Sequence, residues 1–141
     1  MPPMARARCF VWPIRVYYED TDAAGIVYYA NYLRFMERAR TEWLRVLGYE
    51  QDALMRDFDL AFVVTRSDVR YIEAARFNEE LTVMTALERL RAVSFDVAQE
   101  VDNAAGHTIC RGRISLACVE AKTLRPARIP PDMWKVFEGA Y

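Results

Sequence analysis

One stretch, Tyr17 to Gly48, constrains this chain more than any other: YYEDTDAAGIVYYANYLRFMERARTEWLRVLG. Three acids, Glu19, Asp20 and Asp22, fall within four residues, and an Ala23-Ala24-Gly25 break follows them. Tyr32, Met36, Ala39, Trp43 and Leu47 then recur at helical spacing, with Phe35 and Val46 widening the stripe. Glu37, Arg38, Arg40, Thr41, Glu42 and Arg45 form the polar remainder. The pattern predicts a helix from about Ala30 to Leu47, with Gly48 in the left-handed position just past its end. So broad an apolar face needs a large partner surface, which a sheet wrapped around the helix supplies. Ahead of the helix, Pro13 to Tyr18 reads as a strand with Ile14, Val16 and Tyr18 on one face. The acids therefore sit at a strand-to-helix turn, beside the free N–H groups of a helix start. Such a site stabilises negative charge, including an oxyanion formed during acyl transfer.

The rest of the chain switches to period two. Residues 50–58 read as a short second helix. Leu60 to Ile72, Glu80 to Leu90, Val93 to Val101 and Thr108 to Val119 read as strands. Asp102 to Gly106 is a hairpin turn. Residues 125–131 are extended, and Asp132 is placed to cap a closing helix from Met133 to Glu138. The order predicts one α+β domain over residues 1–141, with residues 1–12 as a loose arm and one long helix packed on a curved antiparallel sheet.

Composition narrows the function. The 141 residues carry a net charge of -1, which leaves no electrostatic footprint for nucleic acid. No run of 18 apolar residues exists, so no membrane span is expected. Cys9, Cys110 and Cys118 are odd in number and lack a CxxC spacing. Cys110 and Cys118 fall on one predicted strand, roughly 26 Å apart when extended, too far for a disulfide. A reducing, cytoplasmic setting is expected. The N-terminus has no apolar core of a signal peptide.

His107 is the sole histidine and follows the hairpin turn, far in sequence from the acids. A Ser-His-Asp or Cys-His device is not expected, and no ligand cluster for a metal is evident. Carboxylate chemistry remains. The plain alternative for Glu19, Asp20 and Asp22 is that they only cap the helix and offset its dipole. Three acids so close repel one another, which capping does not require, and the AAGIVYYAN run after them resembles a pocket wall. Of Tyr28, Tyr29 and Tyr32, at least one is expected to be an ordinary core aromatic.

The run VYYEDTDAAGIVYYANYLRFMERARTEWLR closely resembles the signature of hotdog-fold thioesterases of the 4-hydroxybenzoyl-CoA thioesterase class. It is nearest to the Tol–Pal-system-associated acyl-CoA thioesterase branch. Arg15-Val16, Ala53-Leu54-Met55, AFVV at 61–64, RYIEAARF at 70–77 and RPARIP at 125–130 extend the likeness over nearly the whole chain. The resemblance implies a long helix wrapped by a five-stranded antiparallel sheet. It implies protomers paired through their sheets, as dimers or tetramers, with active sites at the interface. Asp22 takes the catalytic acid's place, as nucleophile or as general base for water. The Tyr29 backbone N–H takes that of the donor polarising the thioester carbonyl, and Gly25 belongs to the substrate-binding turn. Arg91, Ser94 and Arg125 match positions near the phosphates of coenzyme A.

Two departures stand out. Tyr29 replaces a histidine found in many members of the branch, and Val93 replaces the lysine that precedes the serine. A backbone donor is indifferent to the first change; the second alters the phosphate site. The implied activity is hydrolysis of an acyl-CoA thioester without metal or redox cofactor, with coenzyme A as part of the substrate and an association with the Tol–Pal envelope machinery. A non-catalytic acyl-CoA binder or envelope scaffold is the competing reading, against which the retained Asp22 speaks. A hotdog dehydratase, which pairs a histidine with an acid, fits the position of His107 poorly.

Overall fold

In the computed structural model, residues 9–140 are described. Strand β1 (Phe10–Arg15) is followed by a 3-10 turn (Tyr18–Asp20), helix α1 (Asn31–Val46) and helix α2 (Gln51–Phe58). Strands β2 (Leu60–Tyr71), β3 (Glu80–Leu90), β4 (Ser94–Asp102) and β5 (Thr108–Glu120) come next, and helix α3 (Pro131–Gly139) closes the chain. The five strands form one sheet in the order β1-β3-β4-β5-β2. Every neighbouring pair is antiparallel. This is the α+β hotdog arrangement that the resemblance implies.

The period-two patterning explains the sheet's two faces. Phe95, Val97 and Val101 of β4 oppose Leu116, Ile114 and Cys110 of β5, and all six join the core beneath α1. The helix lays Tyr32, Phe35, Met36, Ala39, Trp43 and Leu44 onto that face. It passes close over Gly112, where an added Cβ would lie 3.2 Å from the Met36 side chain. A larger residue there must push the Met36 side chain aside. α1 stops as its sequence predicts. Gly48 takes φ +103°, its N–H reaches the Arg45 carbonyl at 3.0 Å, and the Tyr49 N–H reaches that of Leu44 at 2.8 Å.

Several expectations need correction. The N-terminal strand begins at Phe10, inside the expected arm, and residues 1–8 of that arm lie outside the described residues. Phe10 and Trp12 stack at 6.1 Å and pack against the core, while Pro13 is tolerated because β1 is an edge strand. The strand ends at Arg15, so Tyr18 does not share a face with Ile14 and Val16. The 3-10 turn swings it outward to 80% exposure. On α1, Val46 is 70% exposed. It lies about 100° round the helix from Leu47 and leaves the buried arc.

Arg40, expected in solvent, is instead only 8% exposed. One guanidinium nitrogen donates to Gln99 Oε1 at 3.0 Å. The Gln99 amide in turn donates to Thr85 Oγ1 and the Met36 carbonyl. Burial pushes the Arg40 pKa down, and the Glu37 charge opposes that shift. Asp132 does not cap α3: the cap is Pro130 and Pro131 opens the helix, a position that suits proline's fixed φ.

Candidate active site at the strand-to-helix junction

The three acids, equivalent in sequence, have three different environments. Asp20 is 3% exposed. Its Oδ2 accepts the Tyr17 N–H at 2.8 Å, and its Oδ1 accepts the Asn31 side-chain amide at 2.9 Å. It therefore ties the acidic turn to the first residue of α1. Glu19 is exposed and lines an open pocket with Arg15, Tyr17 and Arg38. Asp22 is exposed, and the one hydrogen bond to its carboxylate comes from the Ala24 N–H, at 2.9 Å to Oδ1. None of the three caps α1, whose N-cap is Ala30 with no side-chain bond. Capping of the long helix is thus not what these acids do.

The turn around Asp22 is rigidly closed. The Asp22 N–H donates to the Ile26 carbonyl and the Gly25 N–H to the Asp22 carbonyl, both at 2.9 Å. Gly25 holds φ +78°, a conformation that a side chain would strain. Val27 anchors the return path, its N–H on the Ala75 carbonyl at 2.8 Å. The chain then enters α1 through a tight turn, with the Asn31 N–H on the Tyr28 carbonyl at 2.8 Å. Tyr29 precedes the N-cap by one residue. Among the described residues its backbone N–H has no acceptor, and neither has that of Ala30. An exposed carboxylate with one oxygen unengaged and two backbone donors without acceptors among the described residues therefore stand at one junction, the combination that acyl transfer needs.

Aromatic rings wall this junction. Tyr28 and Tyr29 lie 4.9 Å apart, and Tyr29 meets Tyr71 edge-on at 5.9 Å. Tyr28, Tyr29 and Tyr71 are all substantially exposed. A hydrogen bond with Tyr29, the Tyr29 charge, slight desolvation and the Asp22 charge together raise the Tyr28 pKa. Tyr32 is the core aromatic of the group, its hydroxyl accepting the Ala75 N–H at 3.2 Å. Burial raises its pKa. His107 stays in its turn, with Glu73 3.7 Å from Nδ1, both exposed.

Arg91 and Ser94 lie elsewhere, at the turn between β3 and β4, and Arg125 in the strap that runs past that turn. The Arg91 N–H bonds the Ser94 carbonyl at 2.8 Å, closing the turn between β3 and β4. Both Arg91 terminal nitrogens donate to the Asp96 carboxylate at 3.2 Å. Partial burial pushes the Asp96 pKa up, but hydrogen bonds from Arg91 and Ser115 and the Arg91 and Arg89 charges outweigh it and hold the pKa below the usual range. Arg125 is exposed in the strap after β5. That strap is stitched to the β3–β4 turn, with the Ile129 N–H on the Ala92 carbonyl at 3.0 Å.

The two groups stand at opposite ends of the sheet. β3 leaves the Asp22 end at Glu80, beside Val16 and Glu79, and arrives at Arg91 after 11 residues. At 3.3 Å per residue a straight strand of that length would run about 35 Å, an upper bound for the irregular β3. Within one protomer the structure brings Asp22, Gly25 and Tyr29 together and holds Arg91, Ser94 and Arg125 apart from them. Sequence spacing gave no signal of this separation, or of the buried role of Asp20.

The comparisons agree with the fold. Residues 16–137 match the family model of the thioesterase-like superfamily. An acyl-CoA thioester hydrolase, YbgC of Escherichia coli O6:H1, is 39% identical over 129 residues, covering 92% of this chain and 96% of the relative. An acyl-CoA thioesterase YbgC of Haemophilus influenzae is 37% identical over 91% of this chain and 93% of its own length. A DHNA-CoA thioesterase from Staphylococcus aureus superposes with a TM-score of 0.87 at 25% identity, over 93% of this chain and 89% of its own. The chain belongs to the thioesterase-like superfamily and, within it, to the family of the YbgC acyl-CoA thioesterases.

Proposed function

We propose that this protein hydrolyses the thioester of an acyl-CoA to a free acid and coenzyme A at the junction of the acidic turn and α1. One observation carries the reading: Asp22 presents an exposed carboxylate at the same strand-to-helix junction as the backbone donor of Tyr29, while Asp20 is spent on fixing the turn. The Tyr29 N–H polarises the thioester carbonyl and stabilises the charge that develops on its oxygen. Asp22 either attacks the carbonyl, giving a mixed anhydride that water then opens, or takes a proton from the attacking water. In both routes the thiolate of coenzyme A leaves. Gly25 keeps the approach to Asp22 open. The aromatic wall of Tyr28, Tyr29 and Tyr71 suits an apolar acyl group.

Arg91, Ser94 and Arg125 serve the nucleotide phosphates from a second protomer. Their place at the far end of β3 from Asp22 within one chain supports that role. The working unit is therefore at least a dimer, and the tetramer implied by the family is the fuller assembly. Association with the Tol–Pal machinery belongs to the same family reading. A free-thiol release assay over short, long and aromatic acyl-CoAs tests the activity. Turnover of at least one class is expected, and no turnover of any class contradicts it.

A further inference from the structure

A second cavity lies far from Asp22, between α1, α2 and the inner face of the sheet. Its volume is about 130 Å³. Arg40 forms one wall, and Trp43, Phe62, Phe95, Leu44 and Leu116 form most of the rest. Arg40 follows the first residue of α1 by nine positions, about 14 Å along the helix axis. The cavity therefore sits toward the opposite end of the sheet from the acidic turn.

Arg40 is buried, and no carboxylate of the described residues lies within ion-pair distance of it. Gln99 takes one of its N–H groups. The others have no protein acceptor among the described residues, and no Arg40 side-chain nitrogen is sealed from solvent without a partner. The free edge of the Arg40 guanidinium thus opens on the cavity. Glu37 is exposed at the rim and accepts the Thr41 hydroxyl at 3.1 Å, and Gln51 donates to that hydroxyl at 3.1 Å. The rim acid holds Thr41 through Oε1, and its charge acts on Arg40 only from beyond ion-pair distance.

A buried guanidinium without a direct ion-pair partner is costly, and a planar fork matches a carboxylate. Aromatic and aliphatic walls select an apolar body beside it. A cavity of this size takes roughly one six-membered ring, since about 150 Å³ holds benzene. We propose that this cavity binds a small monocarboxylate with an apolar body, its carboxylate on Arg40 and its hydrocarbon among Trp43, Phe62, Phe95 and Leu116. The site stands independently of the reaction assigned to Asp22.

Thermal unfolding and calorimetric titration with benzoate, hexanoate and the neutral amides benzamide and hexanamide test this. At about a hundredfold excess over Kd, at least one of the two acids should raise Tm by roughly 5–10 °C, saturably, and its amide should not. Benzoate alone marks a ring-shaped ligand, hexanoate alone a linear one, and either result supports the site. Arg40→Met should abolish the response. Because that change also strips Gln99 of a donor, Val64→Trp provides a second test. Val64 lines the cavity at 50% exposure, and the larger ring fills it while leaving the Arg40–Gln99 bond in place. Asp22→Asn should retain the full response. The proposal is overturned if neither acid gives a saturable shift or if the amides match the acids. It is equally overturned if Val64→Trp keeps the response or Asp22→Asn loses it.

Discussion

Single side chains at the junction divide the work between holding and reacting. Asp20 is the holder: two donors, the Tyr17 N–H and the Asn31 amide, depend on its carboxylate. Asp20→Ala strands both, so unfolding free energy should fall by about 1–3 kcal/mol in denaturant titration. A loss below a few tenths of that would show the turn to be held by its backbone alone. The buried cysteines supply a pH prediction. Burial pushes the Cys110 thiol up to about 12 and that of Cys118 up to about 11, from 9.0 in an exposed chain. The folded state therefore holds these protons while the unfolded state loses them. Stability contributed by the neutral thiols is complete below pH 9.0 and is lost as pH rises through about 11 to 12. Between pH 8 and 10.5, the double variant Cys110→Ala/Cys118→Ala should lose less stability than the parent. At pH 8 neither thiol should react with iodoacetamide until the protein is unfolded.

At the scale of elements, α1 passes tightly over β5 at Gly112, where an added Cβ would lie 3.2 Å from the Met36 side chain. Gly112→Val should destabilise by about 1–3 kcal/mol through overpacking. Gly112→Ala should cost less, because the Met36 thioether can shift by the few tenths of an ångström required. Chemical denaturation of both variants checks the order.

Most elements were legible in the sequence. Alternation placed β3 at Glu80–Leu90, and the apolar stripe with Gly48 placed α1. Two of the misreadings share a cause: long-range partners that sequence spacing does not reveal. β1 starts at Phe10 because Thr85 pairs with it across the sheet. Arg40 is buried because Gln99, 59 residues away, receives its N–H. The junction was legible as a motif, and the roles within it were not. Asp20 and Asp22 differ by which donors fold back upon each, and Asn31 reaches Asp20 from 11 residues downstream.

For the whole molecule, the separation of Asp22 from Arg91, Ser94 and Arg125 makes assembly part of the account. If one protomer supplies the acid and another the phosphate contacts, two defective chains should repair each other. Asp22→Asn and Arg91→Ala/Arg125→Ala subunits, co-refolded as a mixture, should regain a substantial fraction of activity that neither has alone. No recovery in confirmed mixed oligomers would place both groups in one chain's site. The arginine variants alone should raise KM for acyl-CoA more than they lower kcat, and should change little with acyl-pantetheine, which lacks the nucleotide phosphates. Arg91 is already held by Asp96, so Arg125→Ala should show the larger effect of the two.

The central claim is that Asp22 performs the chemistry and Asp20 the positioning. Side-by-side steady-state kinetics of Asp22→Asn and Asp20→Asn, with acyl-CoA binding measured by calorimetry on each, test it most directly. Asp22→Asn keeps the shape and removes both nucleophilicity and basicity. Its kcat should fall by at least about a hundredfold while acyl-CoA still binds, since general-base help alone is worth roughly 10²–10⁴ in rate. Asp20→Asn should lose stability first and rate less. Near-normal turnover in Asp22→Asn with collapse in Asp20→Asn would reverse the two roles, and near-normal turnover in both would remove the reaction from this junction.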